Sequence, residues 1–314
     1  MKTEFSIPST NQSVQLHGIC WEPDGGRPVA VVQLVHGMAE YLDRYDEFAR
    51  FLNSRGIAVF GHDHAGHGQS LDERGTGTFA VKQGYVTALK DVHKVMRWGR
   101  SHFGALPFFL MGHSMGSFFA RRLMTMYGDE MDGVVLSGTG FHTGAVVRAG
   151  RTLSALECRL KGRYYRSPLL TQMAVGAFDK PFAKEGVKNA WLSVNRDNVE
   201  RYNADPLCGF AFTAGAYEDF FRILQDLTSR KDFDAIPKSL PVLLVSGAQD
   251  PVGDMGKGVI KVEQSLQKAG LRDVSMRLYE HDRHEILNED DRAQVMEDIA
   301  VWLEGCIRRL QVNG

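Results

Sequence analysis

A serine lies at the centre of the pentapeptide Gly112-His113-Ser114-Met115-Gly116. The apolar run FFLM precedes this pentapeptide, and the helical sequence SFFARRLMTMY follows it. Between a strand and a helix, the G-x-S-x-G pattern forms a strained elbow that presents the serine hydroxyl above a sheet. The flanking glycines are needed because side chains at those positions would clash. We therefore predict that Ser114 is a nucleophile.

A serine hydroxyl is a weak nucleophile at neutral pH, so it needs an imidazole base whose tautomer is fixed by a carboxylate. Asp250 follows the apolar run PVLLVSG, and His284 follows the strand-like run VSMRLYE. Both lie past the carboxyl end of a predicted strand, where ligands collect in open α/β sheets. Asp254, Asp282 and His281 lie nearby and could fill the same roles. We predict Asp250 and His284, because Asp250 is nearest its strand end and His284 leads into the helix-opening sequence EILNEDD.

A second loop supplies the rest of such a site. The segment HGMAE at 36–40 closes the apolar run QLV. An acyl-transfer site needs two preorganised N–H donors for the oxyanion, one after the nucleophile and one from a neighbouring loop. We predict that these donors are the backbone N–H groups of Met115 and Met38. We expect His36 to order the loop rather than to act as a base.

The loop GHDHAGHGQS at 61–70 brings His62, Asp63, His64 and His67 together and suggests a metal site. The two-metal hydrolase pattern H-x-H-x-D-H would require an aspartate where this chain has Gly66. We therefore predict a glycine-rich structural loop, with no metal and no cofactor.

Short apolar runs and helical stretches alternate along the chain. Continuous apolar runs are typical of parallel strands that are covered on both faces. They lie at 29–36, 57–63, 107–113, 133–138 and 241–247. Helical stretches lie at 44–54, 81–101, 115–127, 255–269 and 290–310. This alternation predicts a doubly wound, mostly parallel α/β sheet, with residues 3–20 as an antiparallel hairpin at one edge.

About a hundred residues separate the runs at 133–138 and 241–247, and a structureless loop of that length inside a domain is improbable. We predict a core domain from residues 1–141 and 231–314 and an inserted helical cap from residues 142–230. The cap carries the apolar clusters SPLLTQMAVGAF and CGFAFTAGAY. These clusters could line an acyl pocket through Leu169, Leu170, Phe210 and Phe212, or they could form the core of the cap itself.

Composition excludes several partners. The 314 residues include 37 Lys and Arg against 38 Asp and Glu, which gives no electrostatic footprint for nucleic acid. The four cysteines form no C-x-x-C pair, so we expect reduced thiols. No apolar run approaches the roughly 18 residues that span a bilayer, and the first residues lack the order of a signal peptide. We predict a cytoplasmic protein.

Five segments resemble one known group of enzymes. They are LVHGMAEYLDRY (34–45), DHAGHGQS (63–70), GHSMGS (112–117), SGAQDPVG (246–253) and RHEILNE (283–289). The sequence is similar to the monoacylglycerol lipase and lysophospholipase-like group of α/β-hydrolase-fold serine hydrolases, and the cap segment 191–213 resembles that group as well.

The resemblance implies an α/β-hydrolase fold with Ser114, Asp250 and His284 as the triad, and with Met38 and Met115 as oxyanion donors. The sequence departs from the group in one loop, which reads HGMAEY rather than the common HGxGEH, at Ala39 and Tyr41.

We predict a serine carboxylic-ester hydrolase that works through an acyl-enzyme on a small-molecule ester with a medium or long acyl chain, such as a monoacylglycerol or a lysophospholipid. An amidase or aminopeptidase on the same fold and a non-catalytic binding protein remain alternatives. A dehalogenase or an epoxide hydrolase would need aspartate in the elbow, and Ser114 excludes both. The basic stretch 148–166 beside an apolar cluster predicts weak contact of the cap with lipid surfaces.

Overall fold

The computed structural model describes residues 1–228 and 233–313, and its eight strands form one sheet in the order β1-β2-β4-β3-β5-β6-β7-β8. The strands are Lys2–Pro8 (β1), Gln15–Trp21 (β2), Ala30–Val35 (β3), Ile57–His62 (β4), Phe108–His113 (β5), Gly133–Ser137 (β6), Val242–Gly247 (β7) and Val274–Tyr279 (β8). The first two strands pair in antiparallel fashion, and β2 is also antiparallel to β4. The remaining pairs are parallel. The predicted sheet and its edge hairpin are confirmed.

Burial explains why the central strands are continuously apolar. Every residue of β3, β4, β5, β6 and β7 is buried, whereas β8, at the edge of the sheet, alternates between partly buried and exposed residues. Alternate residues of one strand enter different cores, so Val31 packs on one face of the sheet and Val32 on the other. Covering both faces in this way requires helices on each side.

Nine α-helices that lie wholly within the described ranges accompany the sheet. They are Asp46–Ser54 (α1), Gly84–Phe103 (α2), Met115–Tyr127 (α3), Gly144–Lys161 (α4), Pro168–Thr171 (α5), Arg196–Ala204 (α6), Ala214–Asp226 (α7), Lys257–Lys268 (α8) and Arg292–Asn313 (α9). Residues of α1 and α9 belong to one hydrophobic core, and residues of α2, α3 and α8 belong to the other. None of these helices combines the length and the apolar character needed to cross a bilayer.

The predicted cap lies between β6 and β7, where α4, α5, α6 and α7 are the described helices. Ser167 and Thr213 cap the starts of α5 and α7, because each side chain accepts a backbone hydrogen bond from the first turn. Buried cap residues, including Leu170, Phe212 and Tyr217, share one core with α2 and α3. The predicted cap boundary at 230/231 falls outside the described residues.

Candidate active site

Ser114 occupies the strained turn between β5 and α3. Its backbone has φ +53° and ψ −121°, a conformation that residues other than glycine rarely adopt. A Cβ on Gly112 would lie 2.3 Å from the carbonyl oxygen of Gly116, and a Cβ on Gly116 would lie 1.9 Å from that of Val35. Both glycines are therefore required, and the Ser114 N–H fixes the turn by donating to the carbonyl of Ser137 at 2.9 Å.

A carboxylate and an imidazole are paired beside this turn. Nδ1 of His284 donates to Oδ2 of Asp250 at 2.8 Å, and both side chains are buried. The other carboxylate oxygen accepts the N–H of Val252 at 2.8 Å. With the proton held on Nδ1, the lone pair remains on Nε2, as a general base requires. Burial alone would lower the pKa of His284, but the Asp250 carboxylate outweighs burial and raises this pKa.

The neighbouring candidates for these two positions make no such pair. Asp254 and His281 are exposed. Asp282 is buried, but burial and nearby acidic groups, Asp291 foremost, raise its pKa to about 7. Among the described residues, only Asp250 accepts a hydrogen bond from His284.

Ser114 and His284 line the same cavity, which has a volume of about 310 Å³. Met38 and Met115 line it as well. The rest of the wall is mainly apolar and comes from α3, from the cap helices and from a π-helical turn at Gln172–Gly176. These apolar residues include Phe118, Val146, Val147, Met173, Val175, Phe178, Phe220, Phe221 and Leu224. Such a cavity suits a chain of methylene groups.

Of the four cap residues that the sequence suggested for an acyl pocket, only Phe210 lines this cavity. Leu170 and Phe212 are fully buried in the core that the cap shares with the main domain, and Leu169 is 52% exposed to solvent. The assignment of these three residues needs correction. An apolar cluster in the sequence does not reveal which of its faces packs inward and which faces a cavity.

Residues 36–41, named the oxyanion loop for their predicted role, border the cavity, and Met38 is one of the residues that line it. The Met38 N–H makes no backbone hydrogen bond within residues 1–228 and 233–313. Met115 is the first residue of α3, so its N–H has no acceptor inside the helix. The Gly37 N–H donates to Oε1 of Glu40 at 2.5 Å, which orders the loop from within.

His36 lies behind this loop and is completely buried. Its Nε2 accepts the N–H of His64 at 2.9 Å, so the ring proton lies on Nδ1, which is 2.9 Å from the carbonyl oxygen of Gly37. Burial lowers the pKa of His36 far below its usual value. The ring is thus a neutral part of the loop structure.

A charged cluster near the cavity could not be predicted from the sequence. Arg44 donates to both carboxylate oxygens of Glu285, at 2.6 and 2.7 Å, and to Glu40 at 2.9 Å. Burial raises the pKa of Glu40. Burial also acts to raise that of Glu285, but Arg44 outweighs it and brings the pKa to about 2. Glu40 and Glu285 both line the cavity and give it a polar end. Arg44 and Glu285 are 241 residues apart, so their spacing offered no signal.

In the glycine-rich loop, Asp63 accepts hydrogen bonds from the backbone of Leu42 and Gln69. Burial lowers the pKa values of His62, His64 and His67. These residues shape the loop.

Within the described ranges, one group of three side chains could approach a metal ion, namely Cys20, Glu22 and His102. Burial raises the pKa of the Cys20 thiol to about 12, which disfavours the thiolate that a metal would need.

Three comparisons place this chain among known proteins. Human monoglyceride lipase is 30% identical over 287 residues, which cover 90% of this chain and 84% of that protein. The monoacylglycerol lipase of Mycolicibacterium smegmatis is 25% identical over 286 residues, which cover 90% of each protein. A solved carboxyl esterase from Bacillus coagulans, in complex with glycerol, has a TM-score of 0.87 at 26% identity, covering 98% of this chain and 99% of that one.

A family model described as serine aminopeptidase, S33 matches residues 26–291. This range includes β3 to β8 and the whole of the cap. The predicted family and fold are confirmed. The chain therefore belongs to the serine aminopeptidase S33 family and is a serine ester hydrolase of the α/β-hydrolase fold.

Proposed function

We propose that this enzyme hydrolyses monoacylglycerols and similar single-chain acyl esters, with Ser114 as its nucleophile. The observation that carries the proposal is the cavity, because Ser114 lies on a wall that is mainly apolar and that ends in a polar cluster. An acyl chain fits the apolar part, and the hydroxyl groups of a small alcohol fit the polar part. The similarity to monoglyceride lipases from human and Mycolicibacterium smegmatis supports the same substrate class.

In the proposed reaction, Nε2 of His284 takes the proton of the Ser114 hydroxyl as the oxygen attacks the ester carbonyl. Asp250 stabilises the imidazolium that forms. The N–H groups of Met38 and Met115 bind the oxyanion of the tetrahedral intermediate. His284 then returns the proton to the leaving alcohol, and a water molecule releases the acid from the acyl-enzyme by the same steps.

The polar end of the cavity receives the alcohol. Among the described residues, Oε2 of Glu40 and Oε1 of Glu285 each accept one hydrogen bond, from Arg44. A carboxylate oxygen can accept two, so these two oxygens keep acceptor capacity. Hydroxyl groups donate well to such acceptors. We therefore assign the glycerol side of the substrate to this end. The inserted cap then covers the acyl side.

A substrate panel with a cavity variant tests this proposal. We expect the wild-type kcat/KM to be higher for long-chain than for acetyl p-nitrophenyl esters and negligible for aminoacyl amides. Met173→Ser combined with Val175→Ser should lower kcat/KM for the long-chain ester about tenfold or more, because each buried methylene contributes about 0.8 kcal/mol. Turnover of the acetate should stay unchanged, because acetate does not reach these residues.

Leu169→Ser is the matched control, because Leu169 lies in the same segment and is similarly exposed but does not line the cavity. This variant should leave kcat/KM unchanged for both the long-chain and the acetyl p-nitrophenyl ester. Equal losses on long and short esters in the double variant would contradict the acyl assignment, and rapid cleavage of aminoacyl amides would favour an amidase.

We also propose that the cap contacts lipid surfaces weakly, mainly through the exposed side of α4. Leu156 and Leu160 are 50% and 70% exposed there. The basic contribution is smaller than the sequence suggested, because Arg163 pairs with Glu218 and Asp219. Arg166 donates to backbone carbonyls of Thr76 and Ala211. Lys161 pairs with Glu157, and Arg151 donates to the side chain of Gln225. Arg148 and Arg159 have no acidic partner among the described residues.

Leu156→Ser combined with Leu160→Ser should weaken binding to phosphatidylcholine–phosphatidylserine vesicles about tenfold, because the variant removes apolar area that would enter the interface. Vesicle sedimentation measures the effect, and hydrolysis of a soluble acetate ester should not change. Leu310→Ser, at an exposed leucine of α9, is the control. Equal vesicle binding by both variants would contradict contact through α4.

A further inference from the structure

The oxyanion loop is joined to the cap by three hydrogen bonds. The carbonyl oxygen of Ala39 accepts the Gly209 N–H at 2.9 Å and the Tyr202 hydroxyl at 3.1 Å. The Tyr41 hydroxyl donates to Oδ2 of Asp205 at 2.7 Å. All three cap residues lie within one short stretch at the end of α6 and in the turn that follows it. The cap therefore holds this loop at two positions.

The backbone of the loop depends on this support. Ala39 has φ +53°, in the left-handed region that a residue with a Cβ disfavours. A strained conformation persists only where surrounding contacts fix it. Ala39 is buried, and the donors to its carbonyl oxygen come from the cap rather than from its own loop. The conformation of Ala39 is thus set by the cap, one residue after the Met38 donor.

Tyr41 lies at the other end of the loop and does not line the cavity, whereas its neighbour Glu40 lines it. Its partner Asp205 is itself fixed, because Oδ1 accepts the Leu207 N–H at 2.8 Å and the Asp205 N–H donates to the carbonyl of Arg201 at 3.1 Å. A rigid acceptor in the cap therefore meets a hydroxyl of the oxyanion loop.

We propose that Tyr41 and Asp205 form a latch through which the cap positions the Met38 N–H for catalysis. The inference rests on the proposed function, because it assumes that Met38 binds the oxyanion. Tyr41 is a positioning residue, since it acts through the loop and touches no reacting atom. Turnover of even a short ester then depends on the placement of the cap, although such an ester leaves the acyl part of the cavity empty.

Tyr41→Phe removes the latch hydrogen bond and keeps the ring. We expect kcat for p-nitrophenyl acetate to fall about tenfold, with KM changed less than about twofold, because the lost interaction acts on the transition state. The affinity for a trifluoromethyl ketone, whose adduct with the serine places an oxyanion in the same position, should fall by the same factor. The melting temperature should stay within about 2 °C of the wild type, as for other conservative changes at a part-buried surface.

Companion variants separate the latch from a general structural effect. Asp205→Ala also removes the acceptor of the Leu207 N–H, so it should cost at least as much as Tyr41→Phe, and adding Tyr41→Phe to it should cost nothing further. In Asp205→Asn the amide oxygen can still accept the Leu207 N–H, and the amide NH2 can donate to the Tyr41 hydroxyl oxygen, so this variant should recover most of the activity. Tyr164→Phe is the control, because Tyr164 is an exposed cap tyrosine whose hydroxyl has no hydrogen bond in the described part of the chain.

Wild-type kcat and inhibitor affinity in Tyr41→Phe would overturn the latch while leaving the ester-hydrolase proposal intact. Additive losses in the double variant would also overturn it. A wild-type enzyme that cleaves no ester in the panel would overturn the proposed function and the latch together.

Discussion

Ser114→Ala is expected to lower kcat by roughly a millionfold, as for the loss of the nucleophile in other serine hydrolases. The reaction loses the oxygen that forms the acyl-enzyme, and the remaining oxyanion donors and cavity leave only residual catalysis. Initial rates on p-nitrophenyl esters measure the loss. A fluorophosphonate should label one peptide of the wild-type protein, the one that contains Ser114, and should label none in the variant.

The fold should survive this change, because the strained turn is fixed by its backbone bonds and by the absence of side chains at Gly112 and Gly116 rather than by the serine hydroxyl. Ser265→Ala, at a partly exposed site in α8, is the control and should keep both labelling and turnover. Labelling at another serine, or hydrolysis by Ser114→Ala at the wild-type rate, would contradict the assignment of the nucleophile.

The sheet could be predicted because buried parallel strands leave a continuous apolar signal. The runs at 57–63 and 241–247 each contain a strand of the structure, Ile57–His62 and Val242–Gly247. The positions proposed for Asp250 and His284 followed from a second rule, that parallel strands deliver polar residues to one edge of the sheet, whereas Ser114 was proposed from the G-x-S-x-G elbow. Both rules act over a few residues, so a single sequence carries them.

Features that depend on distant packing left no such signal. Leu170 and Met173 lie in one apolar cluster, yet the first is fully buried in the core and the second lines the cavity. Arg163 belongs to a basic stretch, but it is neutralised by residues of α7. Tyr41 departs from the loop pattern of the group that the sequence resembles, and only the three-dimensional structure shows that its hydroxyl bonds to Asp205 in the cap. In each case the role of the residue depends on contacts with residues far along the chain, and the spacing of residues in the sequence does not reveal such contacts.

Asp250→Asn should lower kcat/KM by about ten-thousandfold, the size of effect seen when the orienting carboxylate of a serine–histidine pair becomes an amide. The amide can donate to Nδ1 of His284, which favours the tautomer with the proton on Nε2 and removes the lone pair that accepts the serine proton. Asp254→Asn is the matched control, since this aspartate is exposed and lies four residues further along the chain. It should change kcat/KM little.

The pH dependence of kcat/KM checks the same assignment through a different observable. The neutral imidazole is the active form, so the wild-type rate should rise with pH through a midpoint above the usual histidine pKa of about 6.5, because Asp250 raises the pKa of His284. In Asp250→Asn the stabilising charge is gone while burial still disfavours the imidazolium, so the midpoint of the residual activity should move to lower pH. An unchanged midpoint, or a crippling effect of Asp254→Asn, would show that another carboxylate orients the base.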